Sequence, residues 1–291
     1  GRYRPIGYRV TGTGYKQTTP VPVAGLKDIV SVEAHLADNT FAIAGSGTVY
    51  GWGDNSWGQL GDGTTQSKAV VGNGISNLSG YSAISSSRSF TLGLKNGEVY
   101  AWGYNDYGQL GSTVPTATVK STPTKITGIA GTVIAIAAGG YHAVALTSDG
   151  RVWNWGNGAG GQLGRGNGNF SNTPTPFVVP NLTGVTQISA GGYYTLALKS
   201  NGDVVSWGDN LYGALGNKNA ATYQDSPIQV ETISNVAAVS AGFDDAIAVT
   251  ANGEVWDWGA NFFGEVGNGV LNSGSPSPVR SPFKTSVGQA R

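Results

Sequence analysis

The dipeptide Trp-Gly recurs at Trp52, Trp102, Trp155, Trp207 and Trp258, at intervals of 50, 53, 52 and 51 residues. A period of this size is the mark of a repeat architecture, and it constrains the fold more than any composition does. Six residues after each Trp, a Gly opens a second fixed element: Gly58-Gln59-Leu60-Gly61, Gly108-Gln109-Leu110-Gly111, Gly161-Gln162-Leu163-Gly164, Gly213-Ala214-Leu215-Gly216 and Gly264-Glu265-Val266-Gly267. The spacing between the two elements never slips.

Within a unit the periodicity is two. Large and small apolar residues alternate in Tyr194-Thr195-Leu196-Ala197-Leu198, Ala143-Val144-Ala145-Leu146 and Ala246-Ile247-Ala248-Val249, the pattern of a strand rather than a helix. Small residues on one face let neighbouring sheets approach closely. Asn96-Gly97, Asp149-Gly150, Asn201-Gly202 and Asn252-Gly253 stand where hairpins must turn, and these dipeptides tolerate positive φ. After each Gly-x-Leu-Gly element a variable polar stretch with Pro, such as Ser121-Thr122-Pro123-Thr124-Lys125-Ile126 or Asp225-Ser226-Pro227-Ile228-Gln229-Val230, suits an outer edge strand. Four short antiparallel strands in about 50 residues make a propeller blade.

The succession of apolar strand, Gly-x-x-His or a variant, Leu-Ala-Leu, Asp/Asn-Gly, Trp-Gly, Asn and Gly-Gln-Leu-Gly resembles the repeat of the regulator of chromosome condensation family over about residues 20–283. That resemblance implies an all-β propeller, with seven blades in the best-known members, and the chain reads as a bacterial-like extracellular member. Five full blades are visible, about 27–78, 79–129, 130–182, 183–233 and 234–283, in one domain over 1–291. Segments 1–26 and 268–291 are expected to close the ring. Thr18–Leu26 resembles an outer strand whose blade is missing, and Ser275–Val279 is the same portion after the last repeat. A composite sixth blade from the termini is left open.

Composition excludes several functions. The chain of 291 residues has 17 Lys+Arg against 17 Asp+Glu, so it lacks the cationic field that captures nucleic acid. It has no Cys, and so no thiolate metal site or cysteine nucleophile. No apolar run is long enough to span a membrane. Met is absent throughout, and the opening Gly1-Arg2-Tyr3-Arg4-Pro5 lacks the pattern of a secretory leader. A cut or processed piece is therefore expected, working at the cell surface or outside the cell, where a chain without Cys or Met resists oxidation. His35 and His142 suggest no metal site or triad, Asp244 and Asp245 are consecutive, and the Gly-rich segments lack the lysine of a phosphate loop. No catalytic residue, metal or cofactor is expected.

The repeat Trp residues read as wedges between blades. Two variable registers carry the candidate binding residues. Just before Gly-x-Leu-Gly stand Trp57, Tyr107, Tyr212 and Phe263, with Gly160 in the third blade. At the Gly-x-x-His register stand Asp38-Asn39, Ser89-Phe90, Tyr141-His142, Tyr193-Tyr194 and Asp244-Asp245, with Arg88 just upstream of the second pair. Tyr141, Tyr193, Asp244 and Arg88 are the candidates there. The reading is a non-enzymatic recognition or adhesion module that presents a propeller face to a protein or glycan, as part of a larger surface or fibre protein. The resemblance implies an alternative, guanine-nucleotide exchange on a small GTPase through an inserted β-wedge, but the even intervals leave no room for one between the motifs. Inhibition of a secreted enzyme is a third reading.

Overall fold

A computed structural model describes residues 20–111, 114–115 and 118–284. Five antiparallel sheets follow one another along the chain. Blade one has β1 Ile29–Glu33, β2 Asn39–Ala44 and β3 Val49–Gly53; blade two has β4 Ala83–Ser86, β5 Phe90–Lys95, β6 Glu98–Gly103 and β7 Lys120–Lys125. Blade three runs through β8 Val133–Ala138, β9 His142–Thr147, β10 Val152–Gly156 and β11 Thr173–Val178. Blade four comprises β12 Val185–Ala190, β13 Tyr194–Lys199, β14 Val204–Asp209 and β15 Tyr223–Gln229. Blade five comprises β16 Val236–Ala241, β17 Asp245–Thr250, β18 Glu254–Gly259 and β19 Ser275–Lys284. The Pro-containing segments are the outer strands, as Pro123, Pro174, Pro227 and Pro276 show.

The alternation of large and small residues assigns each blade a leading and a trailing side. Phe90, Leu92 and Leu94 of blade two point forward onto Ala143, Ala145 and Trp155 of blade three. Val144 and Leu146 of blade three meet Ala197 and Trp207 of blade four, and Leu196 and Leu198 of blade four meet Ala246, Ala248 and Trp258 of blade five. Large side chains thus fill the space that Ala opens around the next blade's Trp, giving the close-packed interior that core stability needs.

Four of the five repeat Trp residues also make one polar bond across the interface. The indole N–H donates to the backbone carbonyl of the second residue in the preceding blade's Gly-x-Leu-Gly: Trp102 to Gln59 at 2.8 Å, Trp155 to Gln109 at 2.9 Å, Trp207 to Gln162 at 2.9 Å and Trp258 to Ala214 at 2.8 Å. The Gln side-chain carbonyl serves its own blade. Gln59, Gln109 and Gln162 accept the N–H of residues 57, 107 and 160, which pins the turn that carries the candidate register. The Asn after Trp-Gly spans the same loop, with its carbonyl accepting from Leu60, Leu110, Leu215 or Val266 at 2.8–3.1 Å.

The fifth interface differs. Trp52 is buried, yet among the described residues its indole N–H has no acceptor. Val32 is 69% exposed, whereas three of its mates in register, Ile84, Ile188 and Val239, are 6–8% exposed and the fourth, Ile136, is half-buried. On the leading side of blade five, Ile247 is 38% exposed while its mates Phe41, Leu92, Val144 and Leu196 are fully buried. A Cβ on Gly61, Gly164 or Gly216 would strike the next blade's Trp, but one on Gly267 would meet nothing within 4 Å. The clasp that joins the other four pairs does not join blade five to blade one among the described residues.

Two expectations are corrected here. No sixth sheet forms among the described residues: 20–26 is irregular, largely exposed chain with a turn at 24–25, lacking a third strand to pair with, while Thr18 and Thr19 lie outside the described residues. Blade one also lacks a full outer strand, its fourth segment reduced to a bridge between Gly53 and Lys68. The hairpin dipeptides differ among themselves as well. Only Asn96-Gly97 has both residues at positive φ; Gly150, Gly202 and Gly253 alone do so elsewhere. In blade three the Gly150 N–H bonds the Thr147 carbonyl and the Thr147 N–H bonds the Arg151 carbonyl, a longer loop in which one left-handed residue suffices.

Trp155→Ala is expected to cost about 3–5 kcal/mol by leaving a large cavity. Trp155→Phe should cost about 1–3 kcal/mol more than Trp52→Phe, because only the former strands a buried carbonyl. Denaturant melts of the variants check both values, and equal costs for the two Phe variants would contradict the clasp.

Candidate functional site

The connections between first and second strands (34–38, 87–89, 139–141, 191–193 and 242–244) and those after third strands (54–58, 104–108, 157–161, 209–213 and 260–264) emerge on the same face. Backbone bonds tie each pair together: Asp54 N–H to Asp38, Tyr104 to Ser89, Asn157 to Tyr141, Asp209 to Tyr193 and Ala260 to Asp244, all at 2.8–3.0 Å. The two variable registers therefore belong to one surface. Neighbouring loops are also joined, since Gly140 N–H donates to Gly192 and Gly192 N–H to Phe243.

On this surface six aromatic rings from five blades touch in series. Trp57 meets Tyr104 with centroids 4.8 Å apart, Tyr104 lies 6.2 Å from Tyr141 and 6.4 Å from Tyr107, and Tyr107 is 5.2 Å from Tyr141. Tyr141 continues to Tyr193 at 6.0 Å and Tyr193 to Phe243 at 6.2 Å. Of the candidates, Trp57, Tyr107, Tyr141 and Tyr193 come together in this belt. Tyr212 does not join it but pairs with Phe262 at 5.0 Å, and Phe263, 91% exposed, makes no ring contact among the described residues. The pre-Gly-x-Leu-Gly register is thus not a closed aromatic rim: Gly160 interrupts it in blade three, and the ring that blade three contributes is Tyr141 of the other register. Sequence reasoning missed Tyr104 and Phe243. Tyr104 directly follows Trp102-Gly103 and Phe243 directly precedes Asp244, so neither falls in a candidate register, and only the shared face exposes them as members.

The second residue of four of the five Gly-x-x-His pairs, Asn39, Phe90, His142 and Tyr194, is buried and structural. His142 is fully buried, its Nε2 lies 3.0 Å from the Thr195 hydroxyl of blade four, and burial lowers its pKa to about 3, so it stays neutral. The Tyr194 hydroxyl donates to the Asp245 carbonyl of blade five, and Asn39 accepts from Ser86 Oγ of blade two. His35 is tied across 155 residues to the Ala190 carbonyl at 2.9 Å.

The ten loops carry Asp38, Asp54, Asp106, Asp209 and Asp244 against the single base Arg88 and the imidazole of His35. Arg88 is exposed and stands 4.0 Å from Asp38. Asp54 accepts from Ser56 and Gln59, Asp106 from the Tyr104 hydroxyl, and Asp209 from the Leu211 N–H at 2.7 Å. Burial raises the Asp209 pKa. Burial, followed by the charges of Asp209 and Asp245, pushes Asp244 up to about 6. No group of three or more metal-ligating side chains occurs among the described residues.

The regulator of chromosome condensation repeat matches residues 46–92, 96–146, 149–198 and 201–249, well over half of the chain. The chain belongs to the regulator of chromosome condensation repeat family. Within that family it is 35% identical over 169 residues to the mitochondrial RCC1 domain-containing protein RUG3 of Arabidopsis thaliana, covering 57% of this chain and 37% of that one. It is 32% identical over 262 residues to the human E3 ubiquitin-protein ligase HERC2, covering 86% of this chain and 5% of the ligase. The chain thus spans well under half the length of these curated relatives. Among solved structures it is similar to human WBSCR16, with a TM-score of 0.76 at 25% identity over 88% of this chain and 67% of that one. The yeast RCC1 protein Prp20, solved bound to Kap60, gives a TM-score of 0.74 at 23% identity over 87% of this chain and 63% of that one, a likeness of fold.

A carboxyl whose folded pKa lies above its ordinary 3.8 costs the fold stability at neutral pH. The cost fades as pH falls through about 6 and is gone below the ordinary value. Asp244→Asn should therefore raise Tm by about 1–3 °C at pH 8, allowing for solvent screening, and leave it nearly unchanged at about pH 3.5. Paired thermal melts check this; the larger gain at low pH would contradict the burial and repulsion assigned to Asp244.

Proposed function

We propose that this propeller is a non-enzymatic recognition module that binds a protein partner on the face bearing the aromatic belt. The belt is the observation that supports this reading most. Trp and Tyr anchors grouped at the centre of a surface are the composition of binding hot spots, and loops held by a rigid scaffold are where binding residues collect. In this chain the scaffold takes the form of backbone bonds tying the loops in pairs and Gln clamps under three of the turns.

The geometry favours a protein over a glycan. At five of the six belt contacts the rings meet at 59–88°, so the edge of one ring covers the flat face of its neighbour. Sugar stacking uses open faces, whereas a protein side chain fits the notches between tilted rings. Five Asp residues on the same loops argue against nucleic acid, whose phosphates they would repel. No observation favours the exchange-factor reading, which needs an inserted wedge where the intervals of 50–53 residues hold none.

Selection of a peptide display library on the immobilised chain tests the proposal. Bound peptides should lose at least about tenfold in affinity to the Tyr141→Ala/Tyr193→Ala variant and little to Phe263→Ala, which lies off the belt. Peptides indifferent to both belt substitutions would sink the reading, and a glycan array giving the tighter ligand would replace it.

A further inference from the structure

The chain's zero net charge hides an uneven distribution. Among the described residues the basic side chains lie mostly on hairpins and outer strands, so the described loops of the belt face have five carboxylates and one guanidinium, already beside Asp38. Lys68, held by Asp62 at 2.6 Å, and Lys120 belong to outer strands or segments. The imbalance is sharpest where blades four and five meet the belt. There the Asp209 N–H bonds the Tyr193 carbonyl at 2.9 Å and Asp244 directly follows Phe243, whose ring meets that of Tyr193; burial first, then the phenols of Tyr141 and Tyr107 and the charges of Asp244 and Asp209, raises the Tyr193 pKa. No Lys or Arg pairs with Asp209 or Asp244 among the described residues.

Resting on the protein-recognition reading, we propose that the partner is a basic peptide segment, which seats an Arg or Lys head against the Tyr141, Tyr193 and Phe243 rings and beside the Asp209 and Asp244 carboxylates. Charge complementarity selects this occupant over an apolar or acidic one. A cation above tyrosine rings gains from the ring quadrupole, and the same cation relieves the repulsion between two carboxylates that share a half-buried site. An apolar segment would use the rings but would bury Asp209 and Asp244 unpaired, at a cost. An acidic segment would add a third negative charge. Tyr193 is shared by both halves of the site: its ring touches Tyr141 and Phe243, and its backbone carbonyl accepts from the Asp209 N–H at 2.9 Å.

The test uses the whole chain and the peptides selected on it, with affinities read by fluorescence anisotropy at about 50 and about 300 mM salt. The expected result is a shared motif rich in Arg or Lys. Binding should fall about tenfold in the Asp209→Asn/Asp244→Asn variant and fall again as salt rises. That variant removes only carboxylate charge, so it keeps the fold, and a thermal melt verifies this. Peptides that lack basic residues and lose affinity in Tyr141→Ala/Tyr193→Ala, yet bind the Asp pair variant as well as the parent, would overturn the basic partner and leave the recognition reading standing. Peptides indifferent to the belt substitutions, or a selection that yields none, would overturn both. A second measurement avoids belt variants altogether: arginine amide added to the parent chain should shift the ring resonances of Tyr141 and Tyr193, and unshifted resonances at the lower salt would count against the cation site.

Discussion

One hydrogen bond, repeated four times, sets the geometry on which the rest depends: the indole N–H of each repeat Trp on a backbone carbonyl of the blade before it. Apolar contact alone would hold two sheets together without fixing their offset, because dispersion and hydrophobic burial are poorly directional. A buried donor aimed at a buried carbonyl is directional, and leaving either group unpaired is costly. The carbonyl belongs to the residue whose side chain clamps the preceding turn in three of the blades. A single Gln thus couples the place of the next blade to the shape of the loop on the binding face. Where the clasp is missing, at Trp52 and Gly267, exposure rises on both sides of the gap.

This coupling explains how a surface of several blades can be one site. Tyr141 and Tyr193 lie 52 residues apart in the chain, yet their rings touch because Trp207 fixes blade four against blade three. The repeated residues determine where each loop emerges, and the residues between them determine what it presents. Each blade uses that freedom differently: aromatic rings on the belt, carboxylates beside them, and Gly160 where the other blades carry an aromatic. The chain has zero net charge while its described residues hold a local acidic excess on one face, and that arrangement suits selective capture of a cationic partner better than long-range attraction would.

Much of this was legible in the sequence because the information is periodic. The Trp-Gly interval set the blade count, Leu-Ala-Leu alternation set the two sides of each sheet, and the Pro-bearing segments marked the outer strands. Trp57, Tyr107, Tyr141 and Tyr193 were accessible as candidates for the same reason, since each sits at a position where the repeat permits variation. What escaped was whatever depends on distance between loops of different blades. Tyr104 and Phe243 lie outside the chosen registers, Tyr212 and Phe263 lie inside one but do not touch the belt, and Asp209 gains meaning only beside Asp244. The ends of the arc were equally hidden: the outer-type segment before the first blade suggested a composite sixth, but strand pairing at residues 20–26 needs a partner edge that the alternation pattern cannot supply.

The most direct measurement is an aromatic NOE map of the free protein, with Tyr, Phe and Trp rings protonated on a deuterated background. A belt built by the clasps requires an unbroken series of ring contacts across blade boundaries, from Trp57 to Tyr104, Tyr104 to Tyr141, Tyr141 to Tyr193 and Tyr193 to Phe243, with Tyr212 linked to Phe262 and separate from them. Contacts confined to rings of one blade, such as Tyr104 with Tyr107, and absent between Tyr141 and Tyr193, would show that the clasps do not gather these loops into a single face.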